Sequence, residues 1–398
     1  MRGDPVKRIY MDHMAAAPLH PAALEAMLPY LRDDHGNPQS PHAFGQKAAE
    51  GMETARQQLA RLVNSDPGEI YFTSSGSEAN NFAVKGLALA NQKKGKHVVV
   101  SAVEHQSVLH SAASLERFGF RVTQVPVDKW GQVDADDVRK ALGPETILVS
   151  VQLANSEVGT VEPVAEISAV CREKGVLVHT DAVAAVGNMP VDVRSLGVDS
   201  LSLAAAQFYG PKGAAALFLS KGTRILPFID GGIQEGGRRA GTENVAGIVG
   251  MGAAAELAAA RMEERMKQAA SLRDRLVSGL LTAVDHVQLT GHPQKRLAHQ
   301  ASFCVEFIEG EAMLLSLDRK GIAASSGSAC TSRALKASHV LLAMGFDHAT
   351  AQGSLVFGLI EDNRSEDVDF LLEVFPPIVE RLRQMSPLYS EQRQEKKK

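Results

Sequence analysis

Cysteine is scarce in this chain, with three in 398 residues, and Cys171, Cys304 and Cys330 form no CxxC pair. That odd, widely spaced set excludes a disulfide framework and a structural zinc site, so a cysteine with a role acts as a free thiol. Neither sign of charge is in excess. The 42 Lys and Arg stand against 46 Asp and Glu, a formal charge of -4, which leaves no electrostatic footprint for nucleic acid or an anionic membrane surface. Long apolar runs are lacking too. The opening MRGDPVKRIYMDH has basic residues with no apolar stretch behind them, unlike a secretory signal. The Gly- and Ala-rich stretch from Val245 to Ala255 meets Glu256 well short of the roughly 20 residues a membrane span needs. It reads as a packed helix. The expectation is a cytoplasmic protein whose partners are small molecules or other proteins, with no nucleic acid and no membrane. The sequence shows no internal repeats.

What is present is a chain too long for one ordinary domain, with 44% apolar and 22% charged residues, the balance of a self-folding globular protein. Short β-branched runs at His97–Val103, Arg121–Val127, Thr146–Val151, Val176–Asp181 and Ser200–Ala204 alternate with helical segments such as Pro163–Lys174. Strands this apolar, with helices between them, predict an α/β fold whose mainly parallel sheet is covered on both faces. From Ala253 to about Ala283, Met266, Ala269, Leu272, Leu276 and Leu280 recur at helical spacing, which predicts a long helix burying an apolar stripe at a domain junction. A strand near Ala301–Phe307, a helix from Gly310 to Lys320 and a Ser/Gly-rich loop at Ala323–Arg333 fit a second, smaller α+β domain. The charged tail Glu391–Lys398 reads as solvated.

Polar residues gather just past the carboxyl ends of the predicted parallel strands. Glu104 and His105 follow one strand, Asn155, Glu157 and Gly159 another, and Asp181 ends a third. Open α/β sheets bind ligands there. At Ser74–Asn81, small residues and Gly76 precede a helix running through Phe82–Leu89. Its first N–H groups, with the Ser77 hydroxyl, either cradle a phosphate or are simply capped by Ser75 or Ser77.

The motifs SSGSEANN, SAVEHQSV, ANSEVGT, HTDA, YGPKG, RRAGTENV, SSGSAC and SHVL follow in that order over nearly the whole chain. This set resembles the NifS/IscS-type cysteine desulfurases of the class V aminotransferase family. The resemblance implies the fold type I of pyridoxal phosphate (PLP) dependent transferases, with a large domain at residues 12–256 built on a seven-stranded-type sheet. A smaller α+β domain of residues 1–11 and 257–398 would carry the cysteine loop. It further implies a homodimer that moves sulfur from cysteine onto its own cysteine for iron–sulfur cluster assembly or thiolation. By position, Gly76 and Ser77 would hold the PLP phosphate, helped by Thr242 of the other subunit. His105 would stack on the ring, Asn155 would touch its substituents and Asp181 would pair with the ring nitrogen, keeping it protonated. Cys330 would be the cysteine that receives persulfide; Cys171 and Cys304 read as buried small apolar residues.

The chain departs from that family where the cofactor is anchored. The family's Ser-x-His-Lys, whose Lys binds PLP covalently, is here Ala204-Ala205-Ala206-Gln207. An amide is neither nucleophilic nor basic. Val356 and Glu361 stand where the resemblance expects two arginines, Ala184 replaces a Gln, Gly236 an Arg, and His13, Met14, Ala16 and Ala17 a polar Asn/Thr pattern. Loss of the Lys and the neighbouring His removes roughly 5 to 11 kcal/mol of barrier lowering, at about 10² to 10⁴ in rate for each proton-transfer group. The expectation is therefore a desulfurase-like protein with weak or no desulfurase activity of its own, any PLP being held noncovalently. Cys330 would act as persulfide acceptor or as ligand of an iron–sulfur cluster shared with a scaffold protein. The alternatives are an active PLP-dependent desulfurase, converting cysteine to alanine and enzyme persulfide, a PLP enzyme with another substrate, or a structural partner subunit. Whether the chain is an enzyme stays open at this point.

Overall fold

The structure is a computed structural model that describes residues 8–327 and 337–390; Cys330 and the tail 391–398 lie outside the described residues. In chain order the strands are β1 (Ile9–Tyr10), β2 (Ile70–Thr73), β3 (His97–Ser101), β4 (Arg121–Val125), β5 (Thr146–Ser150), β6 (Leu177–Asp181), β7 (Ser200–Ala204), β8 (Ala215–Leu219), β9 (Val287–Leu289), β10 (Gln300–Val305), β11 (Ile322–Ala323) and β12 (Ser354–Gly358). Seven of them form one sheet in the order β2-β8-β7-β6-β5-β3-β4. Every neighbouring pair is parallel except those made by β8, which runs antiparallel to β2 and β7.

Alternation along the strands explains the two covered faces. Val98 and Val100 of β3 join a cluster with Phe82 and Leu87 of the helix Gly76–Asn91, whereas Val99 points the other way, into a cluster with Leu59, Ile167 and Met251. Residues of period two divide between the faces, so a strand buried on both sides carries apolar residues at both alternations. β3 stops at Ser101, two residues short of the predicted Val103, because the Ser101 hydroxyl accepts the Val103 N–H at 3.1 Å. That turn sends Glu104 and His105 out over the sheet's end.

The long helix runs Val245–Ala283, eight residues earlier than the periodicity of its apolar stripe predicts. Its early glycines lower helix propensity but permit close packing. A Cβ on Gly252 would lie 2.6 Å from the Ala55 Cα, and one on Gly250 2.6 Å from the Met27 side chain. The helix is long and apolar enough to cross a membrane, yet half of its most apolar window is buried within the protein, as a core helix is. Its first half supplies Ile248, Met251 and Ala258 to the large-sheet core. Its second half supplies Leu272, Leu276 and Leu280 to a separate core beneath the sheet β9-β10-β12 and the helix Ser365–Gln384. Ile9 joins this second core through the parallel pairing of β1 with β11. Cys171 and Cys304 are both fully buried, and burial pushes each thiol up to about 12, which leaves them inert.

Candidate functional site

The carboxyl ends of β3, β5, β6 and β7 open into a cavity of about 480 Å³, within the range of small-molecule and cofactor sites. Of the residues the sequence nominates, Gly76, Ser77, His105, Asn155, Asp181 and Gln207 all line it. Thr242 is exposed and away from the cavity wall of its own chain. Cys330 lies outside the described residues; Ser325, Ser326 and Gly327, which lead to it, line the cavity.

The start of the helix Gly76–Asn91 forms one wall. Ser75 is its N-cap, its side chain accepting the Glu78 N–H at 3.1 Å, so the capping reading holds for Ser75. The first-turn N–H groups and the Ser77 side chain remain at the cavity. Gly76 is required there: a Cβ would lie 2.6 Å from the Val183 side chain.

Asp181 ends β6. Its Oδ2 accepts from Asn80 Nδ2 at 2.6 Å and its Oδ1 from the Val183 N–H at 3.0 Å. Burial raises its pKa, while His105 and these two donors pull the other way. Asn80 also donates to Ser107 Oγ at 2.9 Å, and Ser107 Oγ lies 2.7 Å from His105 Nδ1. The aspartate and the histidine are thus tied through one amide. Sequence reasoning missed Asn80, although it stands four residues after Gly76 and so on the same helix face.

Asn155 is more committed than its residue type suggests. Its Nδ2 donates to the Val103 carbonyl at 3.0 Å, and its Oδ1 accepts the Glu157 and Val158 N–H groups at 2.8 and 2.9 Å. It buttresses the turn that also carries Glu157. Burial pushes the Glu157 carboxyl up to about 7, against a hydrogen bond from Ser338. Glu104 is fully buried, holding the Gln152 N–H at 2.7 Å. Burial, then the nearby Asp181, raises its pKa well above the ordinary carboxylate range.

Gln207 occupies the turn after β7. Its Nε2 donates to the Met14 carbonyl at 3.2 Å, and its Oε1 is buried with no partner among the described residues. Its carbonyl oxygen is held by Asn188 Nδ2 at 3.0 Å and faces His13 Nε2 at 2.9 Å. His13 faces a second carbonyl, that of Leu359, through Nδ1 at 3.2 Å. Burial drives its pKa down to about 4. Two residues on, Tyr209 takes a left-handed φ of 65°, with its ring under Arg265 at 4.3 Å and its hydroxyl accepting the Glu361 N–H at 2.9 Å. Those contacts hold a conformation that costs on the order of 1 to 3 kcal/mol.

The other departures divide by place. Ala184 and Val356 line the cavity; Glu361 does not, and pairs instead with Arg261 and Arg265 of the long helix. Gly236 sits in a turn at φ 65°. Ala204 packs against the Gly76 position. Among the described residues no group of His, Cys, Asp or Glu is arranged to hold a metal ion.

A family model described as aminotransferase class-V matches residues 9–371. The chain belongs to this family. Within it, the chain is 49% identical over 382 residues to the cysteine desulfurase IscS of Methanosarcina thermophila, covering 96% of this chain and 94% of the relative. It is 46% identical over 387 residues to the cysteine desulfurase IscS of Clostridium botulinum, covering 97% and 98%. A solved NifS-like protein superposes with a TM-score of 0.89 at 35% identity, covering 94% of this chain and all of that one. The chain is therefore a class-V aminotransferase of the cysteine desulfurase branch, and PLP is the cofactor of that family. The cavity has the size, the helix-start donors and the buried carboxylate that a phosphate and a pyridine nitrogen require. At the turn where the resemblance places an anchoring amine it offers an amide.

Proposed function

We propose that this class-V aminotransferase is a desulfurase-like protein of sulfur mobilisation and iron–sulfur cluster assembly, with little or no turnover of cysteine by itself. The observation that carries the reading is Gln207, an amide tethered to the Met14 carbonyl in a pocket whose relatives are cysteine desulfurases. When bound, PLP supplies an electron sink for bonds at a substrate amine's carbon. In this chain it would be held noncovalently. The N–H groups of Gly76 and Ser77 and the Ser77 hydroxyl would take the phosphate, with Thr242 from a second copy in a homodimer. Asp181 would keep a proton on the ring nitrogen, His105 would stack on the ring, and Asn155 would fix the adjoining turn. Gln207 can orient a ligand but cannot move a proton.

Cys330 would then be the working residue, accepting persulfide from another protein or ligating a cluster shared with a scaffold. Sulfur acceptors or scaffold proteins are the partners this implies, in the cytoplasm. The two hydrophobic cores support a division into residues 12–256 and residues 1–11 with 257–398, the long helix spanning both. A second reading, an active PLP-dependent desulfurase, is favoured by the 49% identity across 96% of the chain. Purified protein incubated with PLP and cysteine separates the two. Under the first reading borohydride traps no pyridoxyl-lysine and alanine does not accumulate; a trapped adduct with alanine release establishes the second. Persulfide transferred from a desulfurase should label Cys330, detected by mass spectrometry, and a protein labelled elsewhere or not at all refutes the acceptor role.

A further inference from the structure

His105 is the N-cap of the helix Gln106–Leu115, and its Nδ1 accepts the Ser107 N–H at 3.1 Å. That donor belongs to the backbone at the helix start, so it can neither turn away nor become an acceptor. A second group meets the same nitrogen: the Ser107 hydroxyl, 2.7 Å away.

The direction of this second bond follows from the atoms behind it. An ionised carboxylate only accepts, so the end of the Asn80 amide that lies 2.6 Å from Asp181 Oδ2 is the NH₂. The other hydrogen of that NH₂ goes to Ser107 Oγ at 2.9 Å. With its lone pair so occupied, the Ser107 hydroxyl directs its own hydrogen at His105 Nδ1. Both described partners of Nδ1 are therefore donors, and an imidazole nitrogen that accepts carries no proton. The proton of the ring sits on Nε2. The peptide on either side of the ring is held as well. His339 Nε2 lies 2.9 Å from the Glu104 carbonyl, and Gln106 Nε2 lies 3.1 Å from His339 Nδ1.

We propose that Ser107 is a positioning residue that fixes His105 as the Nε2–H tautomer, so that this histidine meets the contents of the cavity as a hydrogen-bond donor. The proposal deepens the reading of the cavity as a cofactor and small-molecule site, on which its ligand side rests. His105 lines the cavity, and with Nδ1 turned to the helix start, Nε2 is the ring nitrogen left for a ligand. A donor there fits an electron-rich ligand atom, a thiolate sulfur or an oxyanion, and does not fit an ammonium.

Nitrogen NMR of isotope-labelled histidine in the full-length protein, stripped of PLP, reads the tautomer directly, the His105 signals being those lost in His105→Gln. Nδ1 should show the shift of an unprotonated nitrogen and Nε2 that of a protonated one. Neutron diffraction from crystals of the parent protein gives the same answer without a variant. A proton on Nδ1 by either method overturns the proposal. Ser107→Ala removes one of the two donors and should weaken PLP binding, followed by absorbance, about fivefold, the worth of one neutral hydrogen bond. Ser107→Thr keeps the hydroxyl and should keep both the affinity and the tautomer. Equal affinity in Ser107→Ala and the parent overturns the role given to Ser107. A parent that binds no PLP overturns the cofactor reading instead, and the tautomer, measured without PLP, still decides this proposal.

Discussion

At the scale of single residues, the decisive chemistry is an amide in place of an amine. Gln207 is legible in the sequence as soon as the turn YGPKG is aligned with its relatives, but its tether to Met14 is not, because 193 positions separate them. Restoring the amine tests the consequence. Gln207→Lys combined with Ala206→His should gain a borohydride-trappable pyridoxyl adduct absent from the parent; a double variant that binds no PLP shows that Ala204 and its neighbours have closed the pocket. Asn80 makes the complementary case. Removing its amide in Asn80→Ala leaves Asp181 Oδ2 and Ser107 without a donor, and a buried carboxylate that loses a hydrogen bond typically costs about 1 to 3 kcal/mol. Thermal denaturation should show that loss, and Asn80→Asp should not restore it, since a second carboxylate repels the first. The residue type alone did not reveal this role; its place one helical turn beyond Gly76 would have.

At the scale of elements, the central strands were readable because burial on both faces favours β-branched and apolar runs such as those of His97–Ser101 and Thr146–Ser150. Their ends were less so: β3 closes at Ser101 through a single hydroxyl contact that no periodicity encodes. The long helix was legible in two pieces, a packed stretch at Val245–Ala255 and an apolar stripe from Ala253, which the structure joins into one helix. Glycines at 250 and 252 lower helix propensity, yet the helices that carry Met27 and Ala55 need their lack of a Cβ. Gly252→Ala adds a Cβ 2.6 Å from the Ala55 Cα and 2.7 Å from its Cβ, which cannot move without the helix. It should destabilise the protein by about 1 to 3 kcal/mol, outweighing the roughly 1 kcal/mol of helix propensity that alanine gains. Gly250→Ala meets the flexible Met27 side chain and should be milder. Equal melting temperatures for the two variants would show that the close approach at Ala55 relaxes freely.

At the scale of the whole molecule, buried titratable groups set a pH window for stability. Glu157 and Glu162 are raised from 4.5 to about 7 and about 8, chiefly by burial. Between 4.5 and those values the folded state binds more protons than the unfolded one, so these acids lower stability as pH rises. His13 and His179 are lowered from 6.5 to about 4 and about 3, again by burial; between those values and 6.5 the unfolded state binds more protons, so they lower stability as pH falls. The two sets oppose each other between 4.5 and 6.5, and only the acids act above 6.5. The melting temperature should therefore fall from pH 6.5 to 8. Glu162→Gln, which keeps an acceptor for the Val133 N–H, should flatten that limb; an unchanged slope would place its origin elsewhere. What the chain's order of residues determined unaided was the α/β class, the family, the missing amine and the inertness of Cys171 and Cys304, since each follows from local pattern or residue chemistry. Only the tertiary structure decided which carboxyls share a cavity, that Asn80 joins Asp181 to His105, and that Glu361 serves an arginine pair instead of the ligand site, because charge and hydrogen bonding depend on distances that sequence separation does not fix.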